Sequence, residues 1–430
     1  MAKEWRELNS SWAWWVFLFA MGPLVGASFI SAVRIYGEAS GLNGTAAGVG
    51  EAFSPLVGIW APTLSACEIA AVFLLPFVVI RLVSGDKVSG AAKIELQHPI
   101  SSLNRIFAKL LVLLAGWMLA SSAVVIAIFL WRSYGGSIYV PELATVILGH
   151  LLNAMLTIGI AAALAAIAEN PSTAAIVTLA ITVGSWIVTF IAAVHGGIWE
   201  RIAGFTPTAM VARFQRGLVR SDLILVALTL MVFTVVLASV WMQTGVPAKR
   251  RALETGLLSL IAAAMIFTSS YATPSWDLSE NRMNSFSRAD EATLRQIHTP
   301  LNIVVHLAPE DPRRVDLERQ SLSKLRRTLH NLHVNYESAT SIGLFEQTNP
   351  HYGEIWYEAG DKKSVSRAVT SEAVLENVYA VTGTAQPSDP EEPFRGHPLP
   401  VAPRGAAWIF YAVWPVVIGI LGWWVNRRNS

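Results

Sequence analysis

The stretch SGDKVSGAAKIELQHPISSLNRIFAKL, residues 84–110, lies between two apolar runs, FLLPFVVIRLV at 73–83 and LLVLLAGWMLA at 110–120. It is too polar to cross a bilayer and too patterned to be a slack loop. Both charge signs are present, and Ala91, Ala92, Ile94 and Leu96 are spaced to give a short helix one apolar edge. Pro99 restricts the residue before it and turns the chain. On pattern alone the segment is either an interfacial amphipathic linker or a short lever held between two rigid spans.

Working outward, apolar runs of roughly 20 residues recur along the 430-residue chain, which is 53% hydrophobic and 14% charged. This is the composition of a polytopic helical membrane protein. Eight spans are expected, near 12–34, 58–82, 106–131, 143–168, 173–194, 221–243, 253–273 and 405–425, each long enough to cross about 30 Å of hydrocarbon. Cys67 is the single cysteine and sits in an apolar run, so no intrachain disulfide is available. The leading segment carries Glu4 and Glu7 and lacks a small-residue cleavage site, which reads as a retained first span rather than a signal peptide.

Orientation follows from the basic residues. With the N-terminus in the cytoplasm, inside segments collect Lys3, Arg6, Arg81, Lys87, Lys93, Arg105, Lys109, Lys249 to Arg251, Arg427 and Arg428, against Arg34, Arg132, Arg201, Arg213, Arg216 and Arg220 in short outside loops. The bias puts both termini inside. Trp12, Trp14, Trp60, Trp131, Trp199, Trp241, Trp408 and Trp423 lie near span ends, where an indole suits the headgroup layer.

One large polar piece, residues 274–404, is then left outside the cytoplasm. LNIVVHL at 301–307 reads as a buried strand, and Leu317, Leu322, Leu325, Leu329 and Leu332 recur at helical spacing after it. HVNYES, GEIWYEAG and KSVSRAV read as strands, the last two joined at AGDKK, and SEAVLENVYAVTG reads as a Ser-capped helix. The expectation is a small α/β domain with a Pro-rich, extended tether, QPSDPEEPFRGHPLPVAPRG, back to the last span.

The run from Phe73 to Leu111 resembles the region after the second span of type-2 ABC exporter permeases, with Arg81, Gly90, Glu95, Leu96, Pro99, Ile100 and Lys109 in the matching places. Where relatives usually carry an acidic pair, this chain has Gly85, Asp86 and Lys87. SIYVPELATVILGHLLNAMLTIGIAAALAAIAENPSTAAIVT resembles the fourth and fifth spans. GFTPTAMVARFQRGLVRSDLILVALT, with Phe214, Arg216, Gly217 and Asp222, resembles the entry to the sixth. From the seventh span, SWDLSENRMNSFSRADEATLRQIHTPLNIVVHL is similar to the auxiliary component of gliding-motility-type (Gld F/G-like) ABC transporters, through Asp277, Leu278, Ser279, Ser285, Phe286, Ser287 and Pro300.

The resemblance implies a fusion: a six-span permease core at 1–250, a seventh span at 251–273, an extracytoplasmic α/β domain and tether at 274–404, and an eighth span with a tail at 405–430. It also implies a bacterial inner-membrane protein that pairs with a second copy of itself and with two copies of a separate ATPase subunit. No G-x-x-x-x-G-K-[ST] loop occurs, so no cofactor is expected on this chain and ATP and Mg belong to the partner. The segment with Asp86, Lys87, Gly90, Ile94, Glu95, Leu96 and Pro99 would be the coupling helix that docks on that ATPase.

Other polar residues were weighed on their chemistry. Glu68 lies mid-span, where a lone carboxylate costs about 2.5–3.5 kcal/mol on insertion scales unless it is paired, protonated or wet. It lines a substrate path or makes a structural hydrogen bond to a neighbouring span, for instance at Asn153 or His150. Those two share one helix face and are expected either in packing or on the path. His330 and His333, with His306 or His351, offer imidazoles to a metal, but no acidic or cysteine ligand completes a set, so no metal site is expected. Arg313 to Arg327 is basic without interleaved aromatics, so no nucleic-acid partner is expected. TPTAMVARFQRGLVR is amphipathic and is expected along the outer membrane surface, near lipid phosphates or a protein partner.

Two functions survive. In one, the spans form an export path for a lipid-like or peptide-like molecule. In the other, nothing crosses, and the chain passes force to a periplasmic partner through its outer domain.

Overall fold

The computed structural model describes residues 1–41, 54–88, 90, 101–195, 198–204, 206–243, 245–272, 274–308, 311–337, 350–387, 394, 396–399 and 404–429. Among these, eight helices are long and apolar enough to cross a membrane: Trp12–Ala39, Leu56–Asp86, Ser102–Ser133, Val140–Ile167, Pro171–Ala192, Ser221–Trp241, Ala248–Ser269 and Ala406–Arg427, called spans 1 to 8 below. The chain is a polytopic helical membrane protein. It divides into two compact units, one of residues 1–187, 204–278 and 395–430, the other of 188–203 and 279–394.

In the first unit, span 4 is the packing hub because its sequence is rich in small residues. Gly149 receives the Phe214 ring and Gly159 receives the Thr234 side chain; a Cβ at either position would lie 2.4 or 2.3 Å from its neighbour. Lipid tails give helices no hydrophobic reason to associate, so close approach over small residues has to supply the attraction. The same device joins the last span to the first. Trp414 and Phe410, one turn apart on span 8, fill the surfaces left by Gly22 and Gly26 on span 1, and the Trp414 indole donates to the Leu18 carbonyl at 2.9 Å.

A helix the sequence reading did not separate, Ala2–Asn9, precedes span 1. Its Leu8 is buried, and both Leu8 and Trp14 lie over Gly116 of span 3. Span 2 opens with a π-helical turn at Leu56–Trp60 and is interrupted at Leu74, just ahead of Pro76. Of the tryptophans near span ends, Trp14, Trp60 and Trp131 are buried within the protein, and Trp131 meets Tyr36 and Trp60 edge to face. Trp12, Trp408 and Trp423 are exposed.

The helix Pro207–Phe214 turns its apolar face onto span 4: Met210, Val211 and Phe214 are buried, Met210 and Phe214 together with Leu152 and Leu223. Arg220 is paired with Asp222 rather than left for phosphate, on a strand β1 (Leu218–Arg220) that pairs antiparallel with β2 (Ser275–Asp277). The return segment is also no loose tether where it is described. Tyr36 Oη donates to the His397 carbonyl, Tyr134 Oη to that of Arg404, and the Leu399 amide to Ser40 Oγ. Buried phenol hydroxyls need acceptors, and these carbonyls supply them.

The second unit is α/β. Its four-stranded sheet runs β4-β3-β5-β6, from β3 (Leu301–Val305), β4 (Leu332–Tyr336), β5 (Ile355–Ala359) and β6 (Lys362–Ser366). β3 and β4 are parallel, joined by helical turns over Pro312–Leu317, Glu318–Leu322 and Ser323–Thr328; the other pairings are antiparallel. Leu317, Leu322, Leu325 and Leu329 face the core with Ile303, Val305, Ile355 and Tyr357, and the helix Ser371–Thr382 adds Val374, Val378 and Tyr379. Ser371 does not cap that helix: Thr370 occupies the N-cap position without a side-chain hydrogen bond, and the Ser371 hydroxyl donates to the Gln320 carbonyl.

Candidate functional site

Span 2 ends at Asp86 and span 3 begins at Ser102, so both flank the segment from which the sequence reading started. Of its expected coupling residues, Asp86 and Lys87 lie in the last turn of the helix that forms span 2, and Gly90 has a left-handed φ of 74° that favours glycine. Ile94, Glu95, Leu96 and Pro99 lie outside the described residues.

What the flanks contain is a buried charge cluster. The Lys109 side chain, two turns into span 3, is 2% exposed. Its ammonium donates to Glu4 Oε2 at 2.7 Å and to the Leu82 carbonyl at 3.1 Å, and lies 2.7 Å from Asp86 Oδ2 and 3.8 Å from Glu7 Oε2. Lys3 approaches the other Asp86 oxygen at 3.6 Å. The ammonium on span 3 meets acceptors from two other elements, the helix Ala2–Asn9 and the end of span 2, and so ties three elements together. Burial pushes the Glu7 carboxyl above its ordinary range, an effect that nearby Lys109 only partly offsets. In sequence, Lys109 stands at a position that matches the permease resemblance, Asp86 falls where the chain departs from that pattern, and Glu4 and Glu7 argue only against a signal peptide.

Within the bundle, Glu68 of span 2 accepts the Trp186 indole N–H of span 5 at 2.9 Å. The structural bond weighed for Glu68 therefore exists, but to span 5 rather than to Asn153 or His150. Phe73 stands edge-on to Trp186, with centroids 5.9 Å apart. His150 and Asn153 share a buried face of span 4, as their spacing required. His150 Nε2 is 3.3 Å from Gln215 Nε2, which also lies 3.4 Å from Ser65 Oγ on span 2. Thr63 Oγ1, His150 Nδ1 and Asn153 Nδ2 are buried without hydrogen-bond partners among the described residues. Gln215 was not singled out in the sequence, and only its contact with His150 brings it to notice.

The histidines of the α/β unit do not come together as a set. His330 and His333 are exposed, and His333 lies on β4 opposite Asn302. His306 and His351 instead pack about Trp356, each with ring centroids 4.9 Å from the indole. Among the described residues, no three His, Cys, Asp or Glu side chains are placed to hold a metal.

No protein family, curated protein or solved structure matches the chain.

Proposed function

We propose that this chain is the membrane subunit of an ATP-binding-cassette exporter, working as a pair with its ATP and Mg held by two separate cytoplasmic ATPase subunits. Both termini lie in the cytoplasm of a bacterial cell, and residues 274–404 lie beyond the inner membrane. The observation that supports this reading best is the Lys109 cluster. A segment docked on an ATPase transmits motion only if its two ends are rigidly tied to the spans. Here Asp86 and Lys109 close those ends on each other, and Glu4 adds the N-terminal helix to the same base. A push on residues 89–101 then moves three elements together.

Affinity purification of the chain in mild detergent tests the proposal. A nucleotide-binding subunit is expected to co-purify and to be lost when Glu95 and Leu96 are both replaced by alanine. No such subunit in the native complex overturns the exporter reading, and its retention by the double variant overturns the coupling role of 89–101.

A second reading has its own support. Span 8, which continues from the α/β unit, is locked on span 1 by Trp414 and Phe410. That linkage suits a chain that passes force to an envelope partner without exporting anything. Transport of a labelled compound by reconstituted complex separates the two.

A further inference from the structure

Glu68 is an acid in a membrane span that pairs with no base among the described residues. Among the described residues no Lys, Arg or His nitrogen lies within salt-bridge distance of its carboxylate, whose one described contact is the Trp186 indole N–H. By contrast, the equally membrane-proximal Asp86 is matched to Lys109. A carboxylate held in an apolar phase is stabilised most by a cation brought to it, because the weak local screening strengthens that attraction.

The surroundings define what kind of cation. Glu68 is partly buried, and the residues beside and beyond it on the same helix, Ile69, Phe73 and Phe77, are exposed at 39%, 39% and 46%. The site therefore opens onto the apolar phase rather than into a sealed core. Trp186 brings an aromatic ring to the carboxylate and Phe73 stands edge-on to that ring, and aromatic faces attract organic cations through their quadrupoles. Small hydrated metal ions need about six oxygen ligands, which one carboxylate and two rings do not provide.

We infer that Glu68, Trp186 and Phe73 form a binding site for a hydrophobic organic cation that arrives from the bilayer. This deepens the exporter reading and rests on it: the carboxylate neutralises the cation while the rings and exposed aliphatic surface take its apolar body. A neutral or anionic amphiphile lacks the charge the site requires.

Binding of radiolabelled tetraphenylphosphonium to the purified full-length chain in nanodiscs tests the inference. Saturable binding is expected for the wild type, weakened roughly tenfold or more in Glu68→Gln and kept within about threefold in Glu68→Asp. Tetraphenylborate, of the same shape and opposite charge, is expected not to compete. A measurement on the unaltered protein guards against misfolded variants: modification of Glu68 by dicyclohexylcarbodiimide, read by mass spectrometry, should be slowed by tetraphenylphosphonium and not by tetraphenylborate. Absence of saturable binding, equal binding by Glu68→Gln, or labelling that ignores the cation overturns the site. The assay uses neither nucleotide nor ATPase, so its failure leaves the co-purification result standing, and the converse holds.

Discussion

Lys109 Nζ lies 2.7 Å from Asp86 Oδ2, so the base of span 3 and the end of span 2 are closed on each other by a buried ion pair. The pair is not isolated, since Glu4 shares the same ammonium from a third element. Breaking one member leaves the others charged and dry, whereas removing all of them leaves only shape to be filled. Lys109→Met is therefore expected to lose about 3–5 kcal/mol of stability. The combined Glu4→Gln, Asp86→Asn, Lys109→Met variant should recover part of that loss. Thermal unfolding of the purified chain checks both, and a triple variant no better than the single one would refute the account.

The contact of span 8 with span 1 makes a different prediction. A Cβ at Gly22 would stand 2.1 Å from the Trp414 ring, and one at Gly26 would stand 2.4 Å from Phe410 Cβ. Gly26→Ala is expected to destabilise by about 1–3 kcal/mol, as overpacking does. Gly184→Ala, where nothing lies within 4 Å, should be close to neutral. Comparing the melting temperatures of these two alanine variants is the test.

In the α/β unit, Ser287 caps the helix Arg288–Leu294 by accepting the Asp290 amide at 3.0 Å, and its own hydroxyl donates to Asp290 Oδ2 at 2.7 Å. Asp290 in turn accepts from Tyr379 Oη at 2.7 Å. Ser287→Ala should cost about 1 kcal/mol. Because the three groups form one network, its effect combined with Tyr379→Phe should depart from the sum of the single effects. A double-mutant cycle measured by chemical denaturation decides this, and strict additivity would count against the network.

Asp311 gives a pH signature. Hydrogen bonds from the Arg313 guanidinium, with help from Tyr352, lower its carboxyl from 3.8 to about 2. A folded-state value below the unfolded one stabilises at pH above about 3.8, and that stabilisation fades as pH falls through about 2. Amide exchange in the turn Pro312–Leu317 should accelerate across that window, and Asp311→Asn should flatten the dependence. Exchange independent of pH over the same range, after correction for its intrinsic rate, would refute this.

Much of the architecture is legible in the residues because its signals are local. Twenty apolar residues in a row can satisfy their backbone in lipid only as a helix, and among the described residues eight helices long and apolar enough to cross a membrane lie within a few residues of the expected spans. Leu317, Leu322, Leu325, Leu329 and Leu332 recur at helical spacing, and the first four reach the core, whereas Leu332 opens strand β4 and is only partly buried. The ends were harder. Span 7 extends back to Ala248 through three basic residues that looked like loop, since Arg251 can reach the Gln243 carbonyl from within the helix. The site was legible only in part: Glu68, Asp86 and Lys109 stand out as charges beside or within apolar runs, but a charge does not announce its partner.

Residue type and spacing were thus enough to establish a helical membrane chain interrupted by one α/β segment, because hydropathy and period act over a turn or a span. Partnership came only from packing. Glu4 is 105 residues from Lys109 and Trp186 is 118 from Glu68, and Trp414 meets Leu18 across 396. No local pattern encodes such separations. They arise because small residues let particular helices approach, and a buried polar group then bonds to whatever that approach brings within 3 Å.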